Sequence, residues 1–401
     1  MVRKLTHSRF FLAATGLIGL TNSSQALQPS DFLLFSRGSL SLRPLAELSE
    51  TYNDNIYYRE NNRVDDFVTV FTPGLKLQLG RVDGNVLAFT YRHDEVFYLQ
   101  EDQQNTRQER MNFLATIQQG KFEIRGTDSW DRLSGIVGGG FSSGGQQLDR
   151  WIFNDNWTIR YGVTEKTRVY VEGTHNTVDF DEGEPFFDSN TLIGTVGFEM
   201  QPFSRTSFFG EIYYGQTATD PNLSTFPKPP HAEFIGAFLG ARGNFTERLV
   251  GTVKAGYEHR EFSGNSGTSD APVVEVNLTQ SFTERSIASL TYSRRQQVSI
   301  QFARSGYVSD AVNLTYRQQL GNTGRLWGTL GTLYERHDYD PTTLFAQRTD
   351  ELMGLNANIT YRFETWLTGV AAYNFEYFQS DLPAVIDYHA NRVTLSVAVG
   401  Y

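Results

Sequence analysis

The sequence predicts an all-β protein, namely a transmembrane antiparallel up-and-down β-barrel of about 18 strands, with 16 as the alternative count. Apolar and polar residues alternate with period two in many segments, as they do in a strand with two different faces. These segments are about 12 to 16 residues long, against roughly 5 to 6 for strands of globular proteins. The connections between them alternate between short and long, which is typical of outer-membrane barrels.

The composition agrees with strands that have one face in lipid and one in water. Aromatic residues make up 14% of the 401 residues and glycine occurs 36 times, yet no segment after the N-terminus is continuously apolar. Alternating lipid-facing and water-facing residues produce this mixture, whereas a membrane helix needs one long apolar run. The chain contains no cysteine, which excludes a disulfide-stapled secreted domain.

The first 26 residues are predicted to be a secretory signal peptide. Arg3, Lys4 and Arg9 precede an apolar run from Phe10 to Leu20, and small residues come before Ala26. This run is too short for a membrane span, which needs about 20 residues; a buried N-terminal helix is the alternative. Cleavage near Ala26 leaves residues 27–39 as an N-terminal periplasmic segment and residues 40–401 as the barrel. The net charge then goes from −10 to −13, which argues against nucleic acid as a partner.

The connections predict the topology. Eight are short: Gly80–Gly84, Gln118–Lys121, Val163–Lys166, Pro202–Arg205, Phe245–Arg248, Phe282–Arg285, Leu320–Arg325 and Phe363–Thr365. Nine are longer and begin near Asn53, Glu101, Ser134, Asp181, Thr217, Ser263, Ile300, His337 and Ser380. Short periplasmic turns and long extracellular loops place both ends of an 18-stranded chain on the periplasmic side.

The sequence Phe-Thr-Glu-Arg occurs twice, at Phe245 and at Phe282, with looser copies at Val163 and Arg362. Each copy ends one alternating segment and begins the next, so we expect periplasmic turns in which the aromatic residue lies at the lipid interface. The expected girdle consists of Tyr161, Phe203, Phe245, Phe282, Phe363 and Tyr401. The alternative is that Thr-Glu-Arg is common turn chemistry and nothing more.

The last strand alternates from Val393 to the terminal Tyr401. An aromatic C-terminal residue resembles the signal that the barrel assembly machinery reads in bacterial outer-membrane barrels. This resemblance implies that Tyr401 is an assembly signal.

A second resemblance lies between Leu45 and Gly80, where a Tyr-Asn-Asp-Asn-Ile-Tyr loop (residues 52–57) precedes Asp65-Asp66 and a Thr-Pro-Gly-Leu strand (residues 72–75). This stretch resembles the putative beta-barrel porin 2 family of Gram-negative bacteria, whose members often lie in exopolysaccharide operons. The resemblance implies a passive outer-membrane conduit for a secreted polysaccharide, with outer-membrane lipids, lipopolysaccharide and a periplasmic export partner around it. A small-solute porin and a surface barrel that binds a partner through its loops are the alternatives.

Strand alternation assigns a mixed set of charged residues to the barrel interior. The pore-lining candidates are Arg92, Glu123, Arg125, Arg160, Arg168, Glu172, Glu211, Lys254, Glu258, Arg260, Glu275, Arg317, Glu335, Arg362 and Glu376, and the sugar-stacking candidates are Tyr170, Tyr213 and Trp327. Mixed signs argue against a ring selective for one ion. The alternative is that these charges pair across strands, and these rings fill space, so that both only stiffen the wall.

No motif predicts catalysis, a cofactor or a metal site. The seven histidines are scattered and none lies in a metal-binding spacing. The segment from Glu335 to Asp340 is the best catalytic candidate, but such groups near a loop are more often solvated surface. The acidic runs at Asp181 and Asp338 offer oxygen ligands for Ca²⁺, or for cations that bridge lipopolysaccharide phosphates, yet neither matches a complete calcium loop. We therefore expect no enzyme.

Overall fold

The computed structural model describes residues 35–81, 84–138, 145, 147–182, 186–221, 231–263, 267–299, 306–340, 347–382 and 387–400. The predicted signal peptide and Tyr401 lie outside this part, so their roles stay predictions. Its strands are β1 (Phe35–Arg37), β2 (Leu40–Asn53), β3 (Asp66–Gly80), β4 (Val86–Tyr98), β5 (Thr106–Gln119), β6 (Phe122–Ile136), β7 (Gln147–Gly162), β8 (Thr167–Phe180), β9 (Phe187–Met200), β10 (Thr206–Pro221), β11 (Ala232–Asn244), β12 (Leu249–Phe262), β13 (Thr268–Thr283), β14 (Ser286–Val298), β15 (Gly306–Leu320), β16 (Leu326–Tyr339), β17 (Arg348–Glu364), β18 (Leu367–Ser380) and β19 (Tyr388–Val399). A single 3₁₀ turn covers Asp102–Gln104 in the described part.

The sheet closes on itself. From β2 to β19 each strand pairs antiparallel with its chain neighbours, and β19 pairs with β2. The protein is therefore a closed antiparallel barrel of 18 strands, and the predicted fold class is confirmed. Within the described ranges, no helix is long and apolar enough to cross a membrane.

The connections lie where the sequence predicts them, but several strands extend into the predicted loops. Strand β9 already begins at Phe187, β13 begins at Thr268 and β10 continues to Pro221, so these long connections are shorter than expected. Strand β16 continues to Tyr339, which places His337 in a strand rather than in a loop. Outside the bilayer, polar residues form strand pairs as well as apolar residues do. Apolar alternation therefore predicts the part of a strand that lies in the membrane, but not the residue at which the strand ends.

The two faces of the wall differ as alternation predicts. Residues that lie opposite each other on neighbouring strands share a face. Val196 is opposite Ile212 and both are 64% exposed, while Leu239 is 76% exposed. Glu211 and Tyr213, which alternate with Ile212, point to the other side, where Tyr213 is buried. The apolar residues therefore form the outer face, and the polar residues face the lumen.

The repeated turn sequence forms a chain of linked turns at one end of the barrel. Thr246 Oγ1 accepts hydrogen bonds from the backbone N–H groups of Arg248 and Leu249 at 3.2 and 3.0 Å. The Arg248 guanidinium then donates to the carbonyl oxygen of Phe282 in the next turn, at 2.8 Å. Arg285 in turn reaches Asn322 at 3.0 Å. The threonine thus closes its own turn, and the arginine joins that turn to its neighbour.

The seam between the last and the first barrel strand has a short ladder. Strands β19 and β2 form eight register pairs, from Arg392↔Asn53 to Val399↔Ala46, whereas β6 and β7 form fifteen. Below the seam, β2 pairs with β1 instead, through a turn at Gly38 with φ of 63°. The β1 segment therefore covers the edge of β2 that β19 leaves free.

Candidate functional site on the lumen wall

The register places all fifteen predicted pore-lining residues on the lumen face. For example, Arg160 lies opposite Tyr170 and Lys254 lies opposite Glu275, while the residues beside them in the chain point outward. Whether these side chains line a conducting path stays a prediction.

Six of the lumen charges, one from each strand β9 to β14, form a continuous set of ion pairs that we call the charge ladder. Its members, in strand order, are Glu199, Glu211, Arg242, Lys254, Glu275 and Arg295. Arg242 lies 3.8 Å from Glu199 and 3.5 Å from Glu211, and Lys254 lies 3.2 Å from Glu211 and 3.1 Å from Glu275. Arg295 ends the ladder at 2.5 Å from Glu275.

Followed from contact to contact, the order is Glu199, Arg242, Glu211, Lys254, Glu275 and Arg295, so the ladder alternates in sign and contains equal numbers of acids and bases. Each internal carboxylate lies within ion-pair distance of two cations, so little unpaired charge faces the lumen along these strands. A cavity of about 590 Å³ lies against this part of the wall. The sequence prediction missed Glu199, Arg242 and Arg295, although the period-two alternation extended along β9, β11 and β14 would have included them.

The pairing continues on strands β6 to β8. Arg160 lies 3.6 Å from Glu123, which also pairs with Arg125, and Arg168 lies 4.0 Å from Glu199. The sequence alternative, that lumen charges pair across strands and stiffen the wall, therefore describes the contacts of many of these residues.

Large aromatic rings lie flat on glycines within this wall. The ring of Tyr170 covers Gly197, where an added Cβ would lie 2.1 Å from the tyrosine Cζ. The ring of Tyr213 covers Gly236 in the same way, at 2.3 Å. The missing side chains allow the rings to lie against the backbone, so bulky residues fit into the wall.

The prediction that Tyr170 and Tyr213 stack on sugar rings is wrong for the described structure. Tyr170 is 3% exposed, lies between the guanidinium groups of Arg160 and Arg242, and donates its hydroxyl to Glu211 at 2.6 Å. Tyr213 is 8% exposed and stacks on Phe238. Both rings are covered by their own chain, so neither offers a free face.

Trp327 and two of the charged candidates have partners within the wall as well. Arg317 lies over the Trp327 ring at 4.4 Å from its centroid. Glu258 and Arg260 are 5% and 4% exposed, and Glu258 accepts from both Arg260 and the Tyr213 hydroxyl. Glu258 and Arg260 therefore contact each other within the wall, as in the alternative that lumen charges pair and stiffen it, and their role as pore lining stays a prediction.

The wall on the other side of the lumen carries amides and hydroxyls between its charged residues. Asn356 donates to Asn374 at 2.5 Å, Asn358 donates to Asn356, and Thr51 hydrogen-bonds to Thr394 across the seam. Charges on this side are paired as well, since Arg392 contacts Glu376 at 2.6 Å. The lumen therefore combines paired charges with a cluster of amides and hydroxyls on β17 to β19 and β2.

The catalytic candidate is divided by strand alternation. Glu335 and His337 share the lumen face and lie 2.7 Å apart, while Arg336 and Asp338 pair on the outer face. Asp338 also accepts from Thr349, so the acidic run at Asp338 does not converge on one point. Part of the run at Asp181 lies outside the described residues, and the described part holds no group of three or more acids and histidines that could bind a metal ion.

The loop between β2 and β3 folds over the lumen mouth. The Asn55 side chain donates to the carbonyl oxygens of Arg59 and His389 at 2.7 and 2.8 Å, and is fully buried. Tyr58, with φ of 49°, packs edge-on against Tyr388 and accepts from Arg392 at 2.9 Å. Burial in this loop raises the pKa of Tyr58, so its hydroxyl stays neutral.

Asp66 holds the base of the same loop. Its carboxylate is fully buried and accepts from the backbone N–H groups of Gln100 and Glu101 at 2.9 to 3.1 Å. Asn55 and Asp66 of the sequence motif are therefore the buried polar core of the loop between β2 and β3, whereas Asp65 is exposed.

Comparison with known proteins agrees with this architecture. The family described as Putative beta-barrel porin 2 matches residues 239–401, which is somewhat less than half of the chain. The chain is a porin-like β-barrel of the outer-membrane type. The predicted resemblance to that family is thus confirmed, but over the C-terminal strands; the motif between Leu45 and Gly80 lies outside the matched residues. No curated protein matches the sequence.

The chain is also similar to solved porin structures. Pseudomonas aeruginosa OpdK, solved with vanillate, has 10% identity and a TM-score of 0.47, with 89% of this chain and 98% of that chain covered. Acinetobacter baumannii OccAB4 has 10% identity and a TM-score of 0.46, covering 90% and 98%. A BenF-like porin from Pseudomonas fluorescens Pf-5 has 9% identity and a TM-score of 0.45, covering 90% and 99%.

Proposed function

We propose that the protein is a passive aqueous pore for neutral, hydroxyl-rich solutes. The balanced charge ladder on β9 to β14, together with the cluster of amides and hydroxyls on β17 to β19 and β2, is the observation that supports this function. Paired charges give the lumen polarity without a net field, so an ion of either sign gains little. A solute covered with hydroxyl groups can exchange hydrogen bonds with both walls.

The finer proposal is that the solute is a secreted polysaccharide. Support comes from the family resemblance and from the cluster of amides and hydroxyls on the lumen face, because a sugar chain needs many weak donors and acceptors along its path. The covered rings of Tyr170 and Tyr213 mean that such a chain would slide along polar groups rather than along a path of stacked aromatic residues.

Reconstitution of the purified barrel into planar bilayers and liposomes tests the pore. We expect discrete conductance steps with a cation-to-anion permeability ratio near one, and uptake of neutral oligosaccharides into liposomes. The variant Lys254→Gln leaves Glu211 and Glu275 short of a cation, so it should shift selectivity toward cations. Asn358→Gln, in the cluster of amides on β17 and β18, is the matched control and should leave selectivity unchanged.

Deletion of the gene separates the solute classes. Loss of extracellular polysaccharide supports export. Conductance with normal secretion would mean a small-solute porin instead, and no conductance at all would place the function in the extracellular loops.

A further inference from the structure

Three titratable side chains lie next to one another on the outer, lipid-facing surface. Asp128 on β6 is opposite Asp155 on β7, and Asp155 is opposite His175 on β8. Asp155 alternates in phase with Ile159 and Tyr161, which are exposed on the outer face. Trp157, on the same face, donates its indole N–H to Asp128 at 2.8 Å.

These groups lie in the extracellular half of the apolar belt. The ring pair Phe122–Tyr161, with centroids 4.9 Å apart, marks the periplasmic side, and the pair Trp130–Trp151, at 4.6 Å, marks the extracellular side. Asp128 is six residues along its strand from Phe122 and two from Trp130, which in a tilted strand corresponds to about 15 Å above the first pair and about 5 Å below the second.

A carboxylate at this depth is expensive in contact with lipid, because acyl chains donate no hydrogen bonds. Among the described residues, Asp155 has no hydrogen-bond donor; its electrostatic neighbours are Asp128, which repels it, and His175, which attracts it. His175 Nε2 hydrogen-bonds to the Thr177 hydroxyl at 3.1 Å and packs against Phe153. The barrel alone therefore leaves this acid only partly compensated.

The surface beside the acid is flat. Gly173 and Gly194 are opposite each other on the outer face of β8 and β9, and a Cβ at either position would point into open space. Neither glycine is required by packing within the chain. Small residues let another protein backbone approach closely in a membrane, where polar side chains then form bonds across the contact.

We propose that the outer wall of β6 to β9 is the contact surface of a homodimer. Every copy enters the membrane with the same orientation, so a two-fold axis along the membrane normal brings equal depths together. An axis between β7 and β8 places Asp155 of each copy against His175 of the other, twice. Because the acid and the imidazole lie on adjacent strands, the surface is complementary to a second copy of itself. A lipid acyl chain offers no such polar partner.

Cysteine cross-linking in intact membranes tests the contact directly, since the chain has no cysteine of its own. Gly173→Cys should give a disulfide-linked dimer under mild oxidation. Leu330→Cys, which is exposed on β16 and therefore eight strands away from Gly173 around the ring of 18, is the control and should stay monomeric. Equal cross-linking at both sites, or none at Gly173, would overturn the proposal.

The predicted contact between Asp155 of one copy and His175 of the other is tested by measuring the mass, and hence the oligomeric state, of the protein in lipid nanodiscs. The wild type should be a dimer, and Asp155→His should shift it at least tenfold toward monomer because two imidazoles then face each other. The double variant Asp155→His with His175→Asp should restore the dimer. Heat-modifiable migration reports that each variant is folded. A monomeric wild type, or a double variant no more dimeric than the single one, would contradict the assignment.

Discussion

At the scale of single residues, the lumen wall depends on glycines that lie under aromatic rings. Tyr170 reaches Glu211 only because Gly197 has no side chain in the path of the ring. The same tyrosine separates Arg160 from Arg242, so its position also holds two guanidinium groups apart. A small residue on β9 thus permits the ring position on which these charge contacts depend.

Gly197→Ala should destabilise the barrel by about 1–3 kcal/mol, because the added methyl group forces the Tyr170 ring off the wall. Gly331→Ala is the control, since a Cβ there would lie 3.7 Å from its nearest neighbour, an ordinary contact. Urea titrations of folding into lipid vesicles measure both variants. Equal stability of the two would mean that the ring moves freely.

The assignment of side chains to the outer face or to the lumen can be tested by substituting adjacent residues of β13. Val276→Arg places a cation on the outer face and should cost about 2–4 kcal/mol near mid-bilayer, whereas Asn277→Arg faces the lumen and should cost little. The register supports the difference, because Val276 is opposite Val253 and Asn277 is opposite Thr252. The same reversible folding assay compares them, and equal costs would reverse the assignment of faces.

At the scale of elements, the contacts of the short turns explain why the sequence repeats the Phe-Thr-Glu-Arg motif. Thr283 Oγ1 accepts from the Arg285 backbone N–H at 3.1 Å, as Thr246 does for Arg248. The glutamate between them points into solvent. The repeat therefore has one residue that closes the turn and one that joins turns, separated by an exposed glutamate. In the first copy this glutamate, Glu247, also lies 3.6 Å from Arg205 of the preceding turn.

Thr283→Ala should slow hairpin formation and lower stability by about 0.5–1.5 kcal/mol, since it removes an acceptor from a backbone donor. Glu284→Ala changes the neighbouring residue of the same turn and should have no measurable effect. Refolding rates into lipid, followed by the shift in gel mobility, give the comparison. A larger effect at Glu284 would show that the turn is held in another way.

The strands and turns could be predicted from sequence because both signals are local. Period-two alternation and turn chemistry need no information about the neighbouring strand, so the strand count and all eight short connections were predictable. The burial of the Tyr170 ring could not be predicted from the sequence, because it depends on which glycine the register places opposite this tyrosine. The charge ladder likewise joins residues from six strands, and the fold of the first loop depends on its contact with β19.

At the scale of the whole molecule, the even number of strands places both ends of the barrel on the same side of the membrane, and the short turns predict that this side is the periplasm. A cysteine at Ser142, in a loop outside the described residues, should react with an impermeant thiol reagent on whole cells. A cysteine at Thr246 or Thr283 should react only after the outer membrane is opened. Reversed labelling would overturn the predicted orientation of the barrel.

The lumen can be tested with the same reagent chemistry. Arg125 has a side chain that is 60% exposed, so a bulky label on Arg125→Cys should reduce conductance. The label on Glu258→Cys should react slowly or not at all, because Glu258 is buried beside Arg260 and Tyr213. Fast labelling of Glu258→Cys would mean that the wall opens in the membrane.

The short ladder between β19 and β2 gives the barrel a preferred place to come apart under load. Eight register pairs hold that junction, and the β1 turn lies directly below it. A tether that pulls on the periplasmic N-terminus would separate β1 from β2 first. The force would then act on the register pairs between β2 and β19, which would break one after another. The force record of a single molecule should therefore begin with a weak event at the junction, followed by stronger steps as whole hairpins leave the membrane.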